Sequence, residues 1–353
     1  MDTPKRGPQC ADGSETCPEN QPERRRLAPR GYDDYIVGWI SALPLEQAAA
    51  KAMLDCVHET LPQDPADTNT YVLGTIGRYN IAIACLPEYG LANAATVANN
   101  MTRTFPCLQI RLMVGIGGGV PGTPDIRLGD VVVGTKVVQY DLGKATQGGH
   151  FQRTQSSDQP PPHLGTAIAA LRGRHEAERS RMPMFLEHFQ RHPSLSQYTY
   201  PGAHQDTLYH STYYHDESNP TCDQCDPSQQ VVRKPRPTSD PYIYYGTIAS
   251  ANQVMKDGEK RDKLATELGA ICFEMEAAGF INQLPCLIIR GISDYSDAHK
   301  NKQWQRYAAA TAAAYAKELL STLPPPPTST RAEHVAGKTL SFPTRLGKKP
   351  YTI

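Results

Sequence analysis

Short apolar runs alternate along this chain with longer segments whose residues favour helices. The apolar runs predict strands at Tyr35–Ile40, Thr70–Thr75, Ile81–Leu86, Ile110–Val114, Asp130–Val138, Tyr242–Ala249 and Cys286–Ile292. The longer segments predict helices at residues 42–54, Leu91–Phe105, Asp257–Leu268, Glu274–Gln283 and Trp304–Leu320. Because several strands are continuously apolar, both faces of their sheet must be covered. The pattern therefore predicts an α/β fold, a three-layer α/β/α sandwich with a mixed central sheet.

The alternating pattern is confined to one stretch, which sets the predicted domain boundaries. Residues 1–33 are polar and carry several prolines and arginines, which predicts a disordered leader. Residues 34–322 form the predicted single domain. Within it, residues 141–241 break the pattern and offer one helical piece at about Leu164–His192, so we expect a long insertion at the domain edge, with a lid as one role. Residues 323–353 contain "PPPPTST" and predict a disordered, proline-rich and basic tail.

Composition narrows the class of protein. The chain has 353 residues, with 36 basic (Lys+Arg) and 36 acidic (Asp+Glu), so its bulk charge favours neither nucleic acid nor an anionic membrane as a partner. No apolar run approaches the ~20 residues that span a bilayer, and the polar N-terminus lacks the apolar core of a signal peptide. Most cysteines lie inside apolar segments, as reduced thiols do, namely Cys56, Cys85, Cys107, Cys272 and Cys286. We therefore expect a cytoplasmic protein, with the nucleus as an alternative.

A glycine-rich segment, "VGIGGGVPGT", follows the strand predicted at Ile110–Val114. Glycines let the backbone approach a ligand closely. The segment lacks the Lys-Ser/Thr ending of a P-loop, and Pro121 and Pro124 oppose the helix that follows a dinucleotide fingerprint. Ligand binding and a tight structural turn both remain open from these residues alone.

Three carboxylates flank a strongly apolar run near the end of the predicted domain. Glu274 and Glu276 precede the strand Cys286–Ile292, and Asp294 follows it. Open α/β sheets bind their ligands beyond the carboxyl ends of strands, where Asp294 lies. The structural alternative is that Asp294 caps the next segment and that Glu276 complements a helix dipole.

Four motifs, taken in order, resemble those of the nucleoside phosphorylase/nucleosidase superfamily, which includes purine nucleoside and uridine phosphorylases. They are "SALPLE", "VGIGGGVPG", "FEMEAAG" and "RGISDYSD". The chain resembles the hydrolytic branch with methylthioadenosine/S-adenosylhomocysteine nucleosidase, and more closely the nucleosidase-like domains of fungal NOD-like receptor proteins. Shared with that fungal group are "YDLGKATQGGHFQRT", "CDQC" and "HKNKQWQRYAAATAAAYAKELL". The resemblance covers about Tyr35–Leu320 and implies the nucleoside phosphorylase-like fold.

The resemblance implies a role for each acid. Asp294 matches the catalytic acid, which would protonate or hydrogen-bond purine N7. Glu276 matches the glutamate that holds the ribose, with Met275 and Gly117 beside the sugar. Glu46 matches the acid that positions the attacking water. The residues that match the base side of the site are Asn252, Val254, Met255 and Glu274.

Glycosidic cleavage needs acids in these three places. Breaking the bond builds an oxocarbenium-like sugar and a negative purine. A proton donor at N7 relieves the purine charge, and a carboxylate near the sugar stabilises the positive charge. A further carboxylate orients and deprotonates the water.

Departures from the family pattern bear on the reaction type. Phosphorylases cradle phosphate with arginines and a hydroxyl of the glycine-rich loop, but Met113 and Ile116 stand at those positions and "ISALPLEQ" has no arginine. An anion site without its cations is improbable, so water is the expected nucleophile. Ile116 also replaces the hydroxyl of bacterial nucleosidases. Val254 stands where an aromatic ring often stacks on the base, so we expect a tyrosine of the insertion to supply that contact.

The 5′ side of the substrate is the least defined part of the predicted site. The sequence shows no apolar pocket for a methylthio group. Cations of the insertion are either phosphate partners or solvated loop charges. They are Lys144, Arg153, Arg233, Lys234 and Arg236.

Two cysteines and two histidines of the insertion form a weak candidate metal set. Cys222 and Cys225 in "CDQC", with His210 and His215, could close a tetrahedral site, but the spacing is not that of a standard zinc finger. A reduced loop or a local disulfide is the alternative, so no metal is predicted. For His299, which follows the Asp294 motif, we expect a packing role.

We therefore expect a purine nucleoside N-ribohydrolase, which uses water to release a free purine base and ribose. The alternatives are an ATP or nucleotide nucleosidase that releases adenine, a phosphorylase, and a non-catalytic nucleoside-sensing domain. The intact set of Glu46, Glu276 and Asp294 argues against the sensing domain. No cofactor is expected, and the resemblance implies a homo-oligomer, with a dimer favoured.

Overall fold

The computed structural model describes residues 30–324, except 123, 149, 155, 156, 217, 220, 280, 282 and 283. The predicted leader (1–33) and tail (323–353) therefore fall almost entirely outside the described residues. All that follows concerns the described part of the chain.

The described residues form an alternating series of strands and helices. The strands are β1 (Val37–Ser41), β2 (Cys56–Val57), β3 (Tyr71–Ile76), β4 (Tyr79–Cys85), β5 (Ile110–Gly119), β6 (Val131–Gln139), β7 (Gly143–Ala145), β8 (Phe151–Arg153), β9 (Ser157–Asp158), β10 (Ile243–Ser250), β11 (Ala270–Glu274) and β12 (Leu287–Asp294). The helices are α1 (Pro44–Ala52), α2 (Leu91–Thr104), α3 (Pro162–Ala177), α4 (Met182–Arg191), α5 (Gly258–Leu268) and α6 (Gln305–Thr322).

One large mixed sheet runs through the molecule in the order β11-β10-β6-β12-β5-β1-β4-β3-β2. β5 pairs in parallel with both β1 and β12, whereas β12 pairs antiparallel with β6. β11 also pairs antiparallel with the end of β5, so the sheet curls back on itself. β7 and β8 form a separate two-stranded ribbon. The mixed sheet confirms the predicted α/β class.

Helices cover both faces of this sheet, as the apolar strands require. Leu287 and Ile289 of β12 pack into a core with α1, α3, α4 and α6. Ile288 and Ile292 of the same strand pack into a second core with α2. Alternate residues of one strand thus enter opposite layers, which is why β12 has no solvent-exposed face.

The predicted insertion contributes directly to one of these layers. The single helical piece expected at Leu164–His192 is two helices, α3 and α4, which pack against α6. Leu164, Leu171 and Phe189 are fully buried there. This part of residues 141–241 therefore belongs to the helical layer of the fold.

Two predicted elements differ from the structure. The predicted helix Glu274–Gln283 is absent among the described residues, because Glu274 ends strand β11 and a short 3-10 turn follows at Ala277–Gly279. The glycine-rich segment is not a loop, because β5 continues through it to Gly119. Pairing with β12 satisfies the backbone of these glycines, so they extend the strand despite their low strand propensity.

A search of the described residues finds no helix with the length and hydrophobicity required to cross a membrane.

Candidate active site

A cavity of about 650 Å³ opens at the carboxyl ends of β1, β5, β11 and β12. Parallel strands that end at one edge bring residues distant in sequence together there. The four motifs singled out from the sequence meet at this edge. Residues from each of them line the cavity: Glu46, Gly117, Gly118, Glu274, Glu276 and Ser293.

Glu46 is fixed at the base of the cavity by backbone groups. It is the third residue of α1, and its Oε2 accepts hydrogen bonds from the N–H groups of Ala42 (2.7 Å) and Leu43 (3.0 Å). Its other oxygen, Oε1, accepts from the N–H of Ile116 on β5 at 2.7 Å. The carboxylate therefore caps α1 and is held rigidly at the same time. Glu46 is only 3% exposed, so its orientation is set by the fold and not by solvent.

Arg290 lies between the glutamates and is fully buried. Its Nη2 contacts Glu276 Oε2 at 3.1 Å and forms a closer ion pair with Glu274. The Glu274 carboxylate also accepts from the N–H of Ala277 at 3.1 Å, which anchors the turn after β11. We call Glu46, Glu274, Glu276 and Arg290 the glutamate wall.

The glutamate wall has three carboxylates for one guanidinium, and burial raises the pKa of two of these acids, Glu46 and Glu276. Burial raises the pKa of Glu46, although Arg290 and three backbone N–H groups oppose the shift. Burial, with repulsion from Glu274 and Glu46, raises the pKa of Glu276 to about 8. Burial would lower the pKa of Arg290, but the three carboxylates outweigh it and the pKa rises. Near neutral pH the wall therefore holds at least one exchangeable proton.

Glycine is required at two β5 positions because side chains from other elements occupy the space beside them. A Cβ on Gly115 would lie 2.7 Å from Arg290 Nη1 and closer still to the Glu46 carboxylate. A Cβ on Gly118 would lie 2.7 Å from Asp294 Oδ1. The glycines of this motif thus leave space beside β5, and the charged residues pack into that space.

Asp294 ends β12 at a β-bulge. The register with β5 pairs Ile292 with Gly117 but Asp294 with Gly118, so Ser293 is the extra residue. Ser296 follows with φ of 55°, a left-handed conformation rare outside glycine, and its N–H donates to Asp294 Oδ1 at 3.0 Å. The bulge and this turn aim the carboxylate, which supports a functional constraint here.

A lysine and a serine complete the surroundings of Asp294. Lys300 Nζ lies 2.8 Å from Asp294 Oδ2, and the Ser293 hydroxyl donates to the same oxygen at 2.8 Å. We call Ser293, Asp294, Ser296 and Lys300 the aspartate wall. Asp294 itself lines an adjoining cavity of about 670 Å³, whereas Ser293, Ser296 and Lys300 line the first. Gly118, which borders the first cavity, lies next to the Asp294 carboxylate.

The structure brings most of the predicted sugar and base residues to the cavity. Met275, Val254 and Met255 line it, as do Gly117 and Glu274. Asn252 does not: its side chain is exposed, its N–H donates to Asp141, and Gln253 takes its place in the lining. Asn252 does not line this cavity because the chain turns after β10 and presents the next residues instead.

The aromatic lining also differs from the prediction. Tyr89 and Phe273 are the aromatic residues that border the cavity, and neither belongs to residues 141–241. Phe273 is buried and packs edge-on against Tyr140, whereas Tyr89 is 58% exposed at the mouth. A tyrosine of the insertion is therefore not needed for a stacking contact. Tyr89 was missed because it lies outside the recognised motifs, whereas Phe273 opens "FEMEAAG" but was given no role there.

The predicted phosphate cations lie elsewhere. Arg153 pairs with Glu267, Arg233 with Asp206 and Arg236 with Asp130. None of these three, nor Lys144 or Lys234, lines the cavity. Four other cations do: Lys256, Lys300, Lys302 and Arg306.

Three of the four weak metal candidates come together. Ligand atoms of His215, Cys222 and Cys225 lie within 4.8 Å of one another. His210 is exposed and outside this group.

Comparison with known proteins places the chain in a family. Residues 37–322 match the family described as the phosphorylase superfamily. A nucleotide-binding leucine-rich repeat (NLR)-like protein of Hyaloscypha variabilis is 44% identical over 86% of this chain, which spans only 30% of that protein. A 5'-methylthioadenosine/S-adenosylhomocysteine nucleosidase of Mycobacterium bovis is 26% identical over 82% of this chain and 96% of its own length. An ATP nucleosidase Cap17 of Escherichia coli is 22% identical over 80% of this chain, which spans 50% of it.

Solved structures show the same fold. The Helicobacter pylori 5'-methylthioadenosine/S-adenosylhomocysteine nucleosidase, crystallised with a pyrrolidine ligand, superposes with a TM-score of 0.55 and 17% identity. The match covers 83% of this chain and 100% of that chain. With the matched residues spanning every element from β1 to α6, the chain belongs to the phosphorylase superfamily.

Proposed function

We propose that this chain hydrolyses the N-glycosidic bond of a purine nucleoside, giving a free base and ribose. The observation that carries the proposal is the glutamate wall. A buried carboxylate, Glu46, held by three backbone N–H groups, lines the same cavity as Glu276, which pairs with Arg290. Such an arrangement suits water activation beside a developing positive charge.

Each acid then has one task in the reaction. Glu46 orients the water and takes its proton, for which its raised pKa is favourable. Glu276 binds the ribose hydroxyls, and in its ionised form it offsets the charge of the oxocarbenium-like sugar. Asp294, when it is protonated, donates a proton or a hydrogen bond to purine N7, which it reaches past Gly118. The bond from C1′ to N9 breaks, the water oxygen bonds to C1′, and the electron pair leaves with the base.

Arg290 and Glu274 support these residues and do not contact the substrate themselves. Arg290 keeps Glu276 oriented, and Glu274 holds Arg290. This position of Glu274 argues for a positioning role instead of the predicted contact with the base. The reaction needs no cofactor, because every proton transfer is assigned to a side chain.

Hydrolysis is favoured over phosphorolysis by the composition of the lining. Arg290 is the cation nearest the glutamates, and they already neutralise it. Ile116 offers no hydroxyl, and the turn from β1 into α1 has no arginine. A dianion placed beside three carboxylates would be repelled.

A second candidate is a nucleotide as substrate, and the cations at the cavity mouth favour it. Lys256, Lys302 and Arg306 are exposed and line the cavity. Within residues 30–324, none of them forms an ion pair with a carboxylate. Unpaired cations around a nucleoside-sized cavity match the phosphates of a nucleotide such as ATP.

Product analysis tests both proposals. The full chain is incubated with adenosine, inosine, guanosine, methylthioadenosine and ATP, each with and without phosphate, and the products are separated by chromatography. Base and unphosphorylated ribose, independent of phosphate, are expected from a nucleoside. Base from ATP alone would select the nucleotide, and ribose 1-phosphate would establish phosphorolysis. No base from any substrate would overturn the hydrolase.

A charge variant separates nucleoside from nucleotide. If ATP is cleaved, the triple variant Lys256→Gln, Lys302→Gln, Arg306→Gln should raise KM for ATP about 10-fold or more while KM for adenosine is unchanged. Lys263→Gln, an exposed lysine of α5 away from the cavity, is the matched control. Equal effects on KM for both substrates would show that the three cations do not bind the phosphates.

A further inference from the structure

The insertion carries a cluster of metal-ligating side chains that the proposed chemistry does not use. The Nδ1 or Nε2 of His215 and the Sγ atoms of Cys222 and Cys225 all lie within 4.8 Å of one another. Both cysteines are free thiols, set at the two ends of a 3-10 turn, Cys222–Gln224 with Cys225 as its C-cap. All three side chains are half-buried. The fold thus gathers two sulfurs and an imidazole from eleven residues of irregular chain.

The tautomer of His215 is the one a metal ligand needs. Its Nε2 lies 2.8 Å from the carbonyl oxygen of Asn219. Because a carbonyl only accepts, Nε2 must carry the proton. Nδ1 of the neutral ring then presents its lone pair, and it lies 3.3 Å from Cys225 Sγ. A ring nitrogen tied to a backbone carbonyl, with the other aimed at a thiol, is the usual outer-shell arrangement of metal-bound histidine.

His299 supplies an independent observation. It is only 7% exposed, yet neither of its ring nitrogens has a hydrogen-bond partner among the described residues. A buried imidazole without hydrogen-bond partners is costly, and Asp297 Oδ1, which lies 3.8 Å from Nδ1, is too far away to form a hydrogen bond. The ring is stacked on Tyr209 at 4.1 Å and lies 5.6 Å, centroid to centroid, from the ring of His215. The predicted packing role does not account for two unsatisfied nitrogens.

We propose that His215, Cys222 and Cys225 bind a zinc ion, with His299 as the fourth ligand. Zinc favours a tetrahedral set of two thiolates and two imidazoles, with Zn–S of about 2.3 Å and Zn–N of about 2.0 Å. Those bond lengths place Nδ1 and Sγ about 3.5 Å apart and two imidazole centroids about 5 Å apart. The observed 3.3 Å and 5.6 Å are close to both values. Two thiolates balance the ion's charge, and sulfur ligands select zinc over magnesium or calcium.

The site would tie the insertion to the loop that follows the aspartate wall. His299 directly precedes Lys300, which pairs with Asp294. The Cys222 thiol already reaches the carbonyl of His299, with Sγ 3.8 Å from that oxygen. A zinc ion here is structural: it fixes the segment that carries Lys300 and takes no part in bond cleavage. This also gives the "CDQC" motif a reason that does not depend on the proposed reaction.

Metal content is the first test. The full chain is expressed with zinc in the medium, purified without chelator, and measured by inductively coupled plasma mass spectrometry. About one zinc per chain is expected for the unaltered protein, and less than about 0.1 for the double variant Cys222→Ser, Cys225→Ser. His210→Ala and Cys107→Ser are matched controls, an exposed histidine of the same segment and a free thiol elsewhere. Both controls should retain the metal.

The fourth ligand is tested separately by affinity. His299→Ala should weaken zinc binding at least ~10-fold in competition with a chromogenic chelator, the smallest effect expected when a group supporting a site is lost. Chelation of the unaltered protein should lower its melting temperature, and zinc but not magnesium should restore it. Because this test uses the unaltered protein, it remains valid even if a variant fails to fold. A chain without zinc, a Cys222–Cys225 disulfide found by mass spectrometry of the purified protein, or unchanged zinc in the double cysteine variant would overturn the proposal. Unchanged affinity in His299→Ala would overturn the fourth ligand.

Discussion

The two charged walls of the cavity solve the problem of burying carboxylates in opposite ways. In the glutamate wall, three buried acids depend on one arginine, and all four side chains are withdrawn from solvent. In the aspartate wall, Asp294 has a lysine of its own, a hydroxyl and a backbone N–H. The Lys300 side chain remains 27% exposed.

This difference predicts that substitutions in the glutamate wall mainly affect the stability of the fold, whereas substitutions in the aspartate wall mainly affect the proposed reaction. The glutamate wall is short of positive charge, so its protonation responds to pH and its integrity depends on Arg290. The aspartate wall is balanced one to one, so losing a single group there should disturb the reaction more than the fold. Four substitutions test this contrast, and they are described from the largest expected effect to the smallest.

Removing the shared cation should have the largest effect. Arg290→Met leaves three buried carboxylates without compensation, so the free energy of unfolding should fall by about 3–5 kcal/mol. Urea unfolding measures this change. Arg179→Met, an exposed arginine, should stay within about 0.5 kcal/mol of the unaltered protein. A loss below 1 kcal/mol for Arg290→Met would mean that the glutamates protonate and tolerate its absence.

Neutralising the aspartate wall should damage turnover instead. Asp294→Asn should lower kcat by ~10²-fold or more, the usual size of a general-acid effect, with a much smaller change in the free energy of unfolding. Base release and urea unfolding are measured on the same preparation. Asp33→Asn, on the exposed surface, serves as the control. Near-normal kcat would remove Asp294 from the mechanism.

The pH dependence of stability should trace to Glu276. Its pKa is raised from 4.5 to about 8 in the folded protein. Between these values the folded chain keeps a proton that the unfolded chain has released, so stability falls as pH rises and levels off above about 8. Glu276→Gln has no such proton and should lose this slope. Melting temperatures from about pH 7 to pH 9 measure it, because below that range His58 and His299, whose pKa burial lowers to about 4, add a slope of opposite sign. An unchanged slope in Glu276→Gln would assign the effect to another group.

The partner of Asp294 should matter least. Lys300→Met removes an ion pair that is partly exposed, so the free energy of unfolding should change by less than about 1 kcal/mol and kcat by about fivefold at most. Lys51→Met, an exposed lysine of α1, is the control. A loss of kcat as large as that of Asp294→Asn would show that Lys300 is itself essential, and the contrast between the walls would then weaken.

The order of elements and the three acids were predictable because each leaves a local trace. Apolar runs mark the strands, and Glu46, Glu276 and Asp294 lie inside recognisable motifs. Arg290 was missed although its signal was present: a charge in the middle of "CLIIRGI" must be buried and therefore paired. Strand β11 was missed because five residues beside a helix-like segment carry too little periodicity.

Other features depend on tertiary contacts that no local pattern records. Tyr89 and Lys256 reach the cavity only because the segments that follow β4 and β10 lie at the same edge of the sheet. Spacing in the chain likewise gave no reason to group His299 with Cys222, since 77 residues separate them. The sequence could suggest the histidine and the two cysteines of the insertion as part of a zinc site, but it could not suggest His299 as the proposed fourth ligand.

Because of the β-bulge at Ser293, the number of residues in β12 sets the separation of the two walls. Arg290 and Asp294 occupy one strand, four positions apart, or about 13 Å of extended chain. Deleting Ser293 alters no charge, yet it should move Asp294 back by one position and turn its carboxylate to the opposite side of the sheet. The spacing of the two walls is thus set by a length of backbone, and a change of that length should abolish the proposed base release more surely than many changes of side chain.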